Sequence, residues 1–217
     1  MSPTSRHPWQ QVLLVSSLVG MAALLPATAS ASTGTGIFSG WDENINGDLS
    51  NVRLLPTFVS LVSGSNMVRG NTGRNAAFEV DLDYFTVTIP DGFQLSRMEL
   101  LLGTATIGQS FIGLVSGSTF PIPPDTSSAA GMLGWTLFDE GDVGEDLLLA
   151  MADPFAESSG FTLPLPAGQY TFWVQETSSG VSRYAFDMSV TAVPEPATAL
   201  SLLAGLGLLA AAMRRRA

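Results

Sequence analysis

Asp42-Glu43-Asn44-Ile45-Asn46-Gly47-Asp48 is the segment of this chain whose residue types and spacing best suit chemistry. Oxygen ligands at its first, third and fifth positions, followed by glycine at the sixth, reproduce the opening half of a calcium loop. The twelfth position of such a loop carries a bidentate glutamate, and here it is Arg53. Calcium held by Asp42, Asn44, Asn46 and Asp48, with ligands added from elsewhere in the chain, is one reading. The other is a plain Asn/Asp/Gly turn that hydrogen-bonds its own backbone. A second acidic run, Asp139-Glu140-Gly141-Asp142-Val143-Gly144-Glu145-Asp146, packs like charges closely enough that they must be hydrated or share a cation. It reads as a solvated loop.

The rest of the chemical inventory is short. The chain has no cysteine and one histidine, His7, and all nine basic residues are arginine. Beyond His7 there is therefore no Ser-His-Asp triad, no imidazole base and no thiolate metal site. Carboxylates, hydroxyls and tyrosines remain, and no pair of acids declares itself as a glycosidase couple, so a non-enzymatic protein is expected and a secreted hydrolase is the weaker alternative. Trp41, Trp135 and Trp173 are candidates for stacking on sugars, although packing in a core or interface explains them as well.

Charge narrows the partners. Between residues 33 and 193 five arginines stand against 18 of the 19 acids. A surface of that sign repels phosphate, which excludes nucleic acid and leaves cations or neutral glycans.

The ends carry targeting signals. Arg6 and His7 precede an apolar run from Val12 to Leu25 and then the small residues Pro26-Ala27-Thr28-Ala29-Ser30-Ala31. Such a run, shorter than the roughly 20 residues of a membrane span, reads as a signal peptide over residues 1–31 that signal peptidase removes, after Ala31 or after Ala29. At the other end Pro194-Glu195-Pro196 precedes the uncharged run Ala197 to Met213, then Arg214-Arg215-Arg216. A helix over 197–213 would be about 26 Å long, the short limit for crossing a bilayer. The arginines would stay cytoplasmic and everything before the helix would lie outside.

Pro194, Glu195, Pro196, the short apolar helix and Arg214, Arg215 and Arg216 together resemble the PEP-CTERM sorting signal of Gram-negative bacteria. The resemblance implies recognition by exosortase, a membrane peptidase that cuts near the Pro-Glu-Pro, after transient anchoring in the inner membrane. It also implies a final place on the cell surface or in an exopolysaccharide or biofilm matrix, with extracellular polysaccharide as a partner.

About 160 residues, 32–193, remain for one domain. In Tyr84 to Ile89, Phe85, Val87 and Ile89 share one face of a strand that Pro90-Asp91-Gly92 ends. Leu95 to Leu102, Phe111 to Val115 and Trp135 to Phe138 read as further strands. Gln169 to Glu176 and Val181 to Val193 alternate around Thr177-Ser178-Ser179-Gly180 and read as a hairpin. Glu145 to Ala152 and Ser127 to Leu133 are the places for a helical turn. The fold class expected is all-β, an antiparallel, jelly-roll-like β-sandwich flanked by the signal peptide and one C-terminal transmembrane helix.

Asp83-Tyr84-Phe85-Thr86-Val87-Thr88-Ile89-Pro90-Asp91-Gly92, Pro166 to Val174 and Tyr184-Ala185-Phe186 also resemble the bacterial pre-peptidase C-terminal domain, a small β-sandwich attached to exported proteins. That resemblance places Asp81 or Asp83 near the leading acidic segment as further calcium ligands. The function expected is an exported structural or adhesive protein, and the alternative is a calcium-dependent module that binds a glycan or a protein.

Overall fold

The computed structural model describes residues 39–75, 77, 79–194, 204–206 and 213–214. The expected signal peptide, most of the expected membrane helix, Glu195, Pro196, Arg215 and Arg216 lie outside the described residues, whereas Pro194 and Arg214 fall within them and are exposed. Among the described residues no helix is long and apolar enough to cross a membrane.

Strands β1 (Gly40–Asp42), β3 (Gly64–Arg74), β4 (Val80–Asp81), β6 (Phe93–Leu100) and β10 (Val181–Ala192) build one sheet, ordered β1-β3-β10-β6 with β4 on β3. Strands β2 (Thr57–Val59), β5 (Asp83–Ile89), β7 (Ser110–Ser116), β8 (Gly134–Phe138) and β9 (Gly168–Glu176) build the other, ordered β2-β5-β9-β7-β8. Their inner faces share one core that includes Val68, Phe85, Leu95, Ile112, Phe172 and Phe186. Phe85 and Phe172 are register partners and stack at 5.1 Å, an arrangement worth about 0.5–1.5 kcal/mol beyond its buried area.

Three features differ from the sequence expectation. The sheets are mixed rather than antiparallel throughout, because β1 runs parallel to β3 and β2 parallel to β5. Long connections, residues 43–63 and 60–82, permit both crossovers.

The expected hairpin does not form. Strand β9 pairs with β5 and β7 in one sheet, while β10 pairs with β3 and β6 in the other. Alternation of Tyr170, Phe172 and Val174 with Tyr184, Phe186, Met188 and Val190 is what two strands facing each other across a core also require. Four linking residues reach about 13 Å, enough to cross the roughly 10 Å between packed sheets.

Ser127 to Leu133 is not helical, whereas α2 (Leu147–Ala152) forms inside the other expected stretch. Asp146 caps α2, accepting from Leu148 N at 3.1 Å and from Met98 N at 3.0 Å, and Leu147, Leu148 and Met151 turn inward.

Residues 118–133 instead pack over the outer face of β5 and β9. Phe120, Ile122, Ala129 and Met132 form a second apolar cluster there with Tyr84, Val115 and Trp173. Strand β5 is consequently buried on both faces. Trp173 is 3% exposed, stacks on its register partner Tyr84 at 5.8 Å, and is no sugar platform. Trp41 donates its indole N–H to Gly47 O at 2.8 Å, and Trp135 is half-buried against Phe111.

Candidate functional site

Asp42 ends β1 opposite Arg69 in the parallel register with β3. Its Oδ1 accepts from Asn44 N and from Asn44 Nδ2, both at 3.0 Å, and its own N–H donates to Asn46 Oδ1 at 2.9 Å. These bonds cap a four-residue helix, α1 (Glu43–Asn46). The expected calcium-loop ligands Asp42, Asn44 and Asn46 are thus occupied with one another and with the backbone, as the turn reading requires, and Asp42 also faces Arg69 Nη1 at 3.8 Å.

Capping in this way turns Glu43 toward β3 and β5. Its Oε1 accepts from Leu49 N at 3.1 Å, and its Oε2 accepts from Asn71 N at 2.8 Å and Asn71 Nδ2 at 3.1 Å. Glu43, Asp48 and Asp83 each bring a carboxylate oxygen within 4.8 Å of the other two. Of the expected ligands, Asp48 and Asp83 therefore meet. Asp81 stays outside this trio, where its Oδ1 accepts from Asn51 Nδ2 at 3.2 Å.

Asp83 is the unusual member. It opens β5 in one sheet, is fully buried, and accepts at Oδ2 from the Tyr184 hydroxyl of the other sheet at 2.6 Å. Its Oδ1 has no hydrogen-bond partner. Burial, assisted by the Glu43 carboxylate, pushes the Asp83 carboxyl up to about 9 against the pull of the Tyr184 bond. Burial raises Glu43 as well, with backbone and side-chain donors opposing and Asp48 adding to the rise. Burial and then Asp48 raise Asp81.

Gly70 makes room for this pair. It faces Tyr184 in the β3–β10 register, and a Cβ there would lie 2.4 Å from the Tyr184 hydroxyl and 2.8 Å from Asp83 Oδ2. Beside the cluster opens a cleft of about 220 Å³, lined by Glu43, Arg69, Leu102, Arg183 and Tyr184 among others. Its walls set one acid, Glu43, beside the two arginines, whereas the carboxylate trio itself offers oxygen donors alone, which suit a hard cation.

A second buried acid shows the contrast. Burial would raise Glu176, but donors from Ser182, Ser178 N, Ser110 and Thr177 N outweigh it and hold the carboxyl below its ordinary range. Glu176 is a satisfied structural acid, and Asp83 is not.

The second acidic run forms its own caps. Asp139 Oδ1 accepts from Gly141 N at 2.7 Å, Asp142 Oδ2 accepts from Asp139 N at 2.9 Å, and Asp146 caps α2. Three of its carboxylates thus serve the backbone.

Glu43 was not a ligand candidate by spacing, since the second position of a calcium loop carries none. Its signal in the sequence is only its place beside Asp42, and what brings it to Asp83 is the parallel pairing of β1 with β3.

No curated protein and no solved structure matches the chain. At its C-terminal end, residues 192–216 match the PEP-CTERM protein-sorting motif.

Proposed function

We propose that the chain is an exported, non-enzymatic protein that signal peptidase and an exosortase process, and that it serves a structural or adhesive role at the cell surface or in an exopolysaccharide matrix. The observation that carries this reading is the sorting motif over residues 192–216, at the opposite end from an apolar leader. Exposed Pro194 lies two residues past the end of β10, so a peptidase cutting near it would meet chain outside the sheets. The likeness of the middle to the pre-peptidase C-terminal domain, a module of exported proteins, fits the same role. So does an inventory without cysteine, lysine or any histidine beyond His7.

A second reading, a calcium-dependent module for a glycan or protein, is favoured by the carboxylate trio and the adjoining cleft with Arg69 and Arg183.

The sorting reading is tested by fractionating cells that express Glu195→Ala or a chain lacking Arg214–Arg216. Most of either variant is expected to stay in the inner membrane while the parent chain leaves it. Release of both variants at the parent level refutes the reading.

A further inference from the structure

Three carboxylates from two stretches of chain converge, one buried, one half-buried and one exposed. Glu43 belongs to α1, Asp48 follows it, and Asp83 opens β5 across the core. Among the described residues no arginine forms an ion pair with any of the three; Arg69 faces Asp42, and Arg97 faces Glu99. Ionised together, carboxylates this close repel, and the repulsion grows as water is excluded. Burying a carboxyl with an oxygen unpaired also costs free energy, and native structures tolerate that mainly where something else completes the site. Asp83 Oδ1 is such an oxygen, on a fully buried residue.

We propose that Glu43, Asp48 and Asp83 hold one divalent cation of the calcium class, which ties the β1–α1 segment to the first residue of β5. The donors are all oxygen, which selects hard cations over zinc or copper. Opposite ligands of an ion sit at twice the metal–oxygen distance, about 4.6–5.2 Å for calcium and about 4.0–4.2 Å for magnesium. Oxygens within 4.8 Å of one another fall inside the span that a calcium ion bridges. Asp48 is exposed and leaves one side open for the waters that complete a calcium shell.

This ligand set differs from the one the calcium-loop spacing suggested. Asp42, Asn44 and Asn46 make the cap that presents Glu43, and they do not contact the ion in this account. The site closes a link between two sheets that the Tyr184 hydroxyl already begins at Asp83 Oδ2.

The test uses the full chain, stripped with chelator and then given calcium alone, with thermal unfolding and terbium luminescence excited through the aromatic residues as two readouts. At 1 mM calcium a site of about 10 μM affinity raises the melting temperature by roughly 5–10 °C. Terbium bound beside Tyr184 luminesces, and calcium displaces it. Asp83→Asn, which keeps the shape of the side chain, abolishes both signals while remaining folded. Asp42→Asn, which keeps the cap, retains both. The proposal is overturned if the parent chain shows no shift up to 10 mM calcium, if Asp83→Asn still responds, or if Asp42→Asn does not.

Discussion

Asp83→Asn raises the melting temperature of the calcium-free protein at pH 8 by roughly 5–10 °C. Burial holds the Asp83 carboxyl protonated, at about 9, whereas an unfolded aspartate releases its proton near 4. The folded state thus binds one proton more than the unfolded state throughout the window between those values. Stability then falls as pH rises through that window, because the unfolded state is the one that gains by deprotonating. The parent chain loses about 2–4 kcal/mol in this way by neutral pH. Asparagine has no proton to lose, accepts from Tyr184 with its oxygen, and offers its N–H groups to the oxygens of Glu43 and Asp48. Unfolding in chelator from pH 5 to 8.5 checks this. The gap between variant and parent should widen with pH, and a parent whose stability is flat over that range removes the argument.

Gly40→Ala costs about 3 kcal/mol or more and weakens the calcium response with it. Gly40 opens β1 with φ +110°, a conformation that side chains rarely adopt. A Cβ there would lie 2.0 Å from Met67 O, 2.7 Å from Met67 C and 2.9 Å from Met67 N, all backbone atoms of β3 that have no rotamer to change. Strand β1 must move away from β3, and Glu43, three residues on, then loses its bonds to Asn71. The expected fall in melting temperature is roughly 6–12 °C, read by calorimetry on the full chain. A change within about 0.5 kcal/mol would mean that β1 contributes little to holding the site.

Strands that bury a regular apolar face were legible in the sequence. Phe85, Val87 and Ile89 do point into the inter-sheet core, as do Phe172 and Phe186 on strands read from alternation and Leu114 and Phe138 on short apolar runs bounded by turn residues. What alternation cannot reveal is the partner of each strand. Strands β9 and β10 have the pattern of a hairpin, yet they face each other across the core, and only the span of the linking turn separates the two arrangements.

Strand β3 went unread for a different reason. Gly64 to Arg74 contains three glycines and two asparagines and buries polar groups, and it still lies at the centre of its sheet. Asn66 explains part of this, because its Nδ2 donates to Val62 O, Gly64 O and Met188 O while its Oδ1 accepts from Val62 N. A side chain so fully paired is stable inside, though composition marks it as a loop residue.

The candidate site was half legible for the same physical reasons. Asp48 and Asp83 were visible as carboxylates near a turn and at a strand start. Their meeting with Glu43 depends on a parallel edge strand and on the missing side chain of Gly70, neither of which leaves a periodic trace. The sorting motif needs no fold to be read, because its order along the chain is itself the signal.

The most direct measurement on export and sorting is the intact mass and terminal peptide map of the protein recovered outside producing cells, with and without their exosortase. The account predicts a mature chain that begins after Ala31 or Ala29, ends near Pro194 to Pro196 and lacks Arg214–Arg216, and its absence when the exosortase is removed. A released chain that still carries Ala197 to Arg216, or one processed identically without the exosortase, would contradict it.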